Sequence, residues 1–118
     1  MDVKKAVIAF SQSEKIKAGL IWSSHLLEMV GGLSDYEKQS GERVIWMLIN
    51  MLLQEVQLAK NVTGDKEWDD AKKSIDQGLV MLNSGVGFDA ISHLTQALSK
   101  VTSIGQRSMT FLQEKGMV

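Results

Sequence analysis

No proline occurs anywhere in the 118 residues. Proline is the residue that most strictly forbids a helix interior, because it lacks an N–H and its ring collides with the preceding turn. A chain without it relies on glycine and capping residues to end its helices. Gly31-Gly32, Gly64 and the pair Gly85 and Gly87 do this here, and they divide the chain into four segments. Glycine just past a periodic apolar run stops a helix because it takes positive φ without a Cβ clash. The start signals agree. Ser34-Asp35-Tyr36-Glu37 has the form of a capping box, as does Ser11-Gln12-Ser13-Glu14. Asp65 and Asp89 stand where negative charge favours a helix N-terminus.

Helices are therefore expected near 12–30, 35–62, 65–84 and 88–115, with residues 1–11 as an N-terminal arm. Short connections make successive helices antiparallel neighbours. The expected fold is all-α, an antiparallel up-down four-helix bundle with a short N-terminal helical extension. It forms one domain over 1–118, since domains commonly run to about 100–150 residues.

Three of the helices show one apolar face at 100° per residue. The first carries Ile16, Gly19, Leu20, Ser23, Leu26, Leu27 and Val30. The third carries Trp68, Ala71, Ile75, Gly78, Leu79 and Leu82, and the fourth Ile91, Leu94, Leu98, Val101, Thr102, Gly105, Met109 and Leu112. The second helix is different. Between Val44 and Ala59 it is apolar nearly all round, with only a polar strip of Arg43, Asn50, Gln54, Gln57 and Asn61. A helix of that kind is buried on several sides, and one small bundle covers only part of it. The surplus predicts self-association as a homodimer through Trp46, Met47, Met51, Leu53 and Leu58. Val7 and Phe10 of the arm, which extrapolate away from the first helix's core face, are expected to help.

Four glycines lie inside the helices. By height Gly41 matches Gly78, and Gly19 matches Gly105, so close backbone approach between neighbours is expected.

The catalytic inventory is thin. There is no cysteine, there are two histidines and one tyrosine, and no phosphate-loop motif occurs. No catalytic residue is assigned and no cofactor is expected. His25 with Glu28 and Asp89 with His93 have helical i, i+3 and i, i+4 spacings, so they form a candidate metal tier. Phase opposes it, since His25 lies about 160° and His93 about 130° from the apolar face of its helix. Glu55 falls within the apolar arc of the second helix, as a candidate ligand anchor or a paired carboxylate. By height Lys17, Lys72, Lys73 and Arg107 are its nearest cations.

With 13 basic and 14 acidic residues and a net charge of -1, the chain has no overall basic footprint for nucleic acid. No stretch has the roughly 20 mostly apolar residues of a membrane span. No signal-like segment is visible, and the cytoplasm is the expected compartment. The expected function is a non-catalytic helical interaction or adaptor protein that self-associates. The alternative is a small-molecule- or metal-binding four-helix bundle.

Overall fold

The structure, a computed structural model, describes residues 1–118. It has four helices and no strand: α1 (Val3–Val30), α2 (Asp35–Thr63), α3 (Glu67–Asn83) and α4 (Ala90–Glu114), with a single 3-10 turn at Gly87–Asp89 before α4. The helices form a rod of 53 × 22 × 18 Å. Each packs against two others around a square: α1 against α2 and α4, and α3 against α2 and α4. The most extensive seam is α1 with α4.

Helix ends follow local chemistry. Ser34 caps α2, its hydroxyl accepting from the Glu37 amide, and Ser34 Oγ lies 3.1 Å from the Glu37 carboxylate. Gly64 ends α2 at φ 72°, in the left-handed region that glycine enters without strain. The second expected box, at Ser11–Glu14, caps nothing. It lies within α1, where Ser13 Oγ donates to the Phe10 carbonyl at 2.7 Å.

The N-terminal arm is not a separate element. α1 is one helix of 28 residues, capped by Asp2, whose carboxylate accepts from the Lys5 amide at 2.8 Å. Its buried positions are Ala6, Ala9, Ser13, Ile16, Leu20, Ser23, Leu27 and Val30, with Gly19 beside them. Their spacing alternates three and four, a repeat of 3.5 residues. Rotating by 100° per residue misplaces such a stripe by about 20° per heptad. Over three heptads the error is about 60°, enough to turn Ala6 out of the core on paper. The same repeat runs through α2 (Ile45, Ile49, Leu52, Val56, Ala59) and α4 (Ala90, Leu94, Ala97, Val101, Ile104, Ser108). It is the spacing of helices that pack knobs into holes at a shallow crossing angle. Small residues carry much of the α4 stripe. Ile91, Leu98, Thr102 and Met109 accordingly stand at the core's edge, while Ala90, Ala97, Ile104 and Ser108 lie inside it. Leu26, expected inside, is exposed.

The internal glycines do not face one another in pairs. Each receives a side chain from a neighbouring helix: Gly19 receives Leu52, Gly41 receives Val30, Gly78 receives Leu94 and Gly105 receives Ser13. At Gly105 an added Cβ would stand 3.2 Å from Ser13 Cβ and closer still to its hydroxyl. Ser13 is 1% exposed and its Cβ is fixed by the α1 backbone, so it has nowhere to go. The buried hydroxyls of Ser13, Ser23 and Ser108 bond back to carbonyls in their own helices, so these three donors are satisfied inside the core.

Gly105→Ala should therefore destabilise the bundle. Helix propensity alone would favour alanine by about 1 kcal/mol. Overpacking at the α1–α4 seam costs about 1–3 kcal/mol. We expect a lower urea midpoint with an unchanged slope. A variant more stable than wild type would show that the two helices can separate freely there.

Candidate interaction surface

Helix α2 carries two apolar strips. The buried one, Ile45–Ala59, faces the core. The other is Val44, Met47, Met51 and Leu58, with Gln54 in the remaining position of the same three-four spacing. Val44 is 63% exposed, Met47 52%, Met51 60% and Leu58 52%. Beside them α1 presents Trp22 at 63% and Met29 at 69%, together with Leu26. The contacts of Gly19 with Leu52 and of Gly41 with Val30 fix the height of α1 against α2. In that register Trp22 stands level with Ile49, between Met47 and Met51, and Leu26 level with Ile45, beside Val44, while Met29 is level with Glu42 at the end of the strip. Apart from His25, α1 has no ionisable side chain from Ala18 to Leu27, and α2 has none from Val44 to Gln54. These two stretches lie side by side, so the outer α1–α2 surface is an uncharged apolar band about 15 Å tall at 1.5 Å per residue.

Below the band lies a groove of about 340 Å³ between the first turns of α1 and the last turns of α2, lined by Val7, Ile8, Ser11, Gln12, Leu58, Ala59 and Val62. Of the residues expected at an interface, Met47, Met51, Leu58 and Val7 lie on this face. Trp46, though exposed, lies on the flank toward α3, beside Leu82 and Asn83. Leu53 packs against the core. Phe10 is partly buried in the groove between α1 and α4. Trp22, Leu26, Met29 and Val44 are not singled out as interface residues by the sequence, because rotation at 3.6 residues per turn assigns Leu26 to the core and phase alone does not say which secondary face the bundle covers.

Glu55 sits between groove and band and is paired. One carboxylate oxygen accepts from Lys15 Nζ at 2.8 Å and the other from Gln12 Nε2 at 2.9 Å, and the same amide reaches the Glu55 carbonyl at 3.2 Å. These partners replace the four cations expected by height. Lys17 pairs with Glu14, Lys72 with Asp76, and Arg107 with Asp65 and Glu67. Gln12 and Lys15 have the i, i+3 spacing that puts both on the α2 side of α1, a signal hidden while residues 1–11 are read as an arm and Gln12 as part of a cap. The Gln12 amide, followed by the Lys15 ammonium, holds the Glu55 carboxyl below its ordinary value of 4.5, outweighing the opposing effect of burial.

The histidines do not form a tier. His25 is exposed on α1, whereas His93 lies on the side of α4 that faces α3, beside Gly78. No group of three or more His, Cys, Asp or Glu side chains is arranged to hold a metal ion. Glu28 and Asp89 are exposed. Two buried polar atoms lack a hydrogen-bond partner, His93 Nδ1 and Trp68 Nε1, and the latter belongs to the largest fully buried side chain. No helix is long and apolar enough to cross a membrane.

Because the folded pKa of Glu55 is lowered, its contribution is fully present above 4.5 and is lost as pH falls through the folded value. Glu55→Gln should cost about 0.5–1 kcal/mol near neutral pH, since Lys15 is largely in water. The gap to wild type should close in acid. Unfolding curves for both proteins from pH 7 down to pH 2 check this, and a gap that nowhere narrows below pH 4.5 would contradict the pairing.

No protein family, curated protein or solved structure matches this chain.

Proposed function

We propose that the protein is a non-catalytic helical interaction module that self-associates through the outer face of α1 and α2. The supporting observation is the uncharged band that sets Trp22 and Leu26 beside Val44, Met47 and Met51, with Met29 at its edge. From Val7 to Met29 the face is about 33 Å long and two helices wide, roughly 650 Å². That is about the 800 Å² per partner of an ordinary stable interface. The uncharged band within that face, about 15 Å by two helix widths, is roughly 300 Å², and the Lys15–Glu55 pair separates it from the groove. Met47 and Met51 in the band, with Met29 at its edge, give it an adaptable, polarisable surface. Removing such side chains from water contributes about 25 cal/mol per Å² of apolar area, a sum that must exceed the entropy lost on association.

Sedimentation at micromolar concentration should give about twice the chain mass of 13.1 kDa. The double substitution Met47→Lys and Met51→Lys touches exposed positions only. It should leave the helical circular dichroism unchanged and return the protein to a single chain. Wild type sedimenting as a monomer would defeat the proposal.

A further inference from the structure

Resting on that reading, the geometry points to one arrangement of the two copies. We infer that α2 packs antiparallel to its own copy about a two-fold axis at the height of Ile49, with Met47 of each chain against Met51 of the other.

Three observations lead there. The first is spacing. Val44, Met47, Met51, Gln54 and Leu58 recur at alternating steps of three and four, a second strip of the kind that seats one helix on another. It stands about 140° around α2 from the core stripe, so the two do not compete for side chains. The second is length. α2 runs from Asp35 to Thr63, and its midpoint is Ile49. An antiparallel copy centred there overlaps it from end to end. Sliding the copy by one heptad leaves about 10 Å overhanging at each end. The third is charge. A surface that meets itself across a two-fold axis brings each charge near its own image. The uncharged stretches, Ala18–Leu27 and Val44–Gln54, are centred on that same height, so the middle of the contact sets no like charges together. Glu55, next along α2, is already compensated by Lys15 and Gln12.

The axis lies in the plane of the face and perpendicular to the helices. It also sets α1 antiparallel to its copy, with Trp22 at the axis. Trp22 of one chain then meets Trp22 of the other, at the centre of the contact, where aromatic anchors contribute most. Away from the axis, Val44 of each chain lies level with Gln54 of the other, while Val44 and its own image are about 15 Å apart.

The chain has no cysteine, so single thiols report this directly. Val44→Cys and Gln54→Cys alter exposed positions. Each variant is prepared alone, and the two are also unfolded and refolded together, then treated with a short bis-maleimide. The arrangement predicts covalent dimers in the mixture, containing one chain of each variant, and several-fold less product from either variant alone. Equal cross-linking of each variant with itself would mean parallel helices and would overturn the inference while leaving self-association intact. So would a wild type that sediments as a dimer with no cross-link in any sample. A monomeric wild type would remove the self-association reading and this arrangement with it.

Discussion

The bundle depends on one continuous stripe along α1. From Ala6 to Val30 its buried side chains recur every 3.5 residues, a stripe about 36 Å long at 1.5 Å per residue in a rod of 53 Å. α1 packs extensively on both α4 and α2, and it holds more buried positions than any other helix. Its composition sets the spacing of its neighbours. Ala6, Ala9 and Ser13 near the N-terminus are small, and α4 answers with Gly105 and Ser108, so these two backbones come close. Further along, Gly19 opens a hole for Leu52 and Gly41 one for Val30, which draws α2 in as well. Close approach of this kind makes up in contact density for what small side chains lack in area. Exposed ion pairs such as Lys60 with Asp69 and Arg107 with Glu67 then join neighbouring elements at the surface, with little energy in each.

Much of this architecture is legible from residue types alone. Without proline, with glycine pairs at the breaks and Ser34 beside Glu37 at one start, four helices in antiparallel order follow from local chemistry. The α3 stripe, Trp68 to Leu82, is read correctly except for the buried Ser74, because seventeen residues are too few for the repeat to drift far. The N-terminus is misread for the opposite reason. A long helix with a 3.5-residue repeat departs steadily from ideal phase, and alanine and serine give no strong apolar signal with which to correct it. Ala6 and Ala9 are as deeply buried as Ile16, yet they read as neutral.

The site was legible in part. That Glu55 needs a partner follows from its place in an apolar arc, and it has two. Which two depends on α1 continuing past Ser11, a fact of tertiary structure that the local cap signal at Ser11–Glu14 obscures. The excess of apolar residues on α2 was visible as composition. Its division into a core strip and an outer strip was not, because both have the same spacing and only packing decides which is which. Leu53 and Trp46 show the difference. Both are large and apolar, yet Leu53 packs against the core and Trp46 lies on the flank toward α3, rather than outward with Met47 and Met51.

The core and the outer face are linked through one contact. Leu52 of α2 belongs to the buried strip, and Met51 beside it belongs to the outer one. Gly19 of α1 takes Leu52 into the seam, which brings the two helix surfaces level and leaves Trp22 and Met51 side by side on the outside. A larger residue at Gly19 would push α2 away and open a cleft between those two side chains. The hole that seats the core is thus also what joins two separate helical strips into one continuous face. The Lys15–Glu55–Gln12 cluster ties the same two helices together just below it, with no net charge left on that stretch of the seam. The two strips of α2 share no side chain, so substitutions at Met47 or Met51 act on the face and leave the core packing untouched, whereas substitutions at Gly19 or Leu52 act on both.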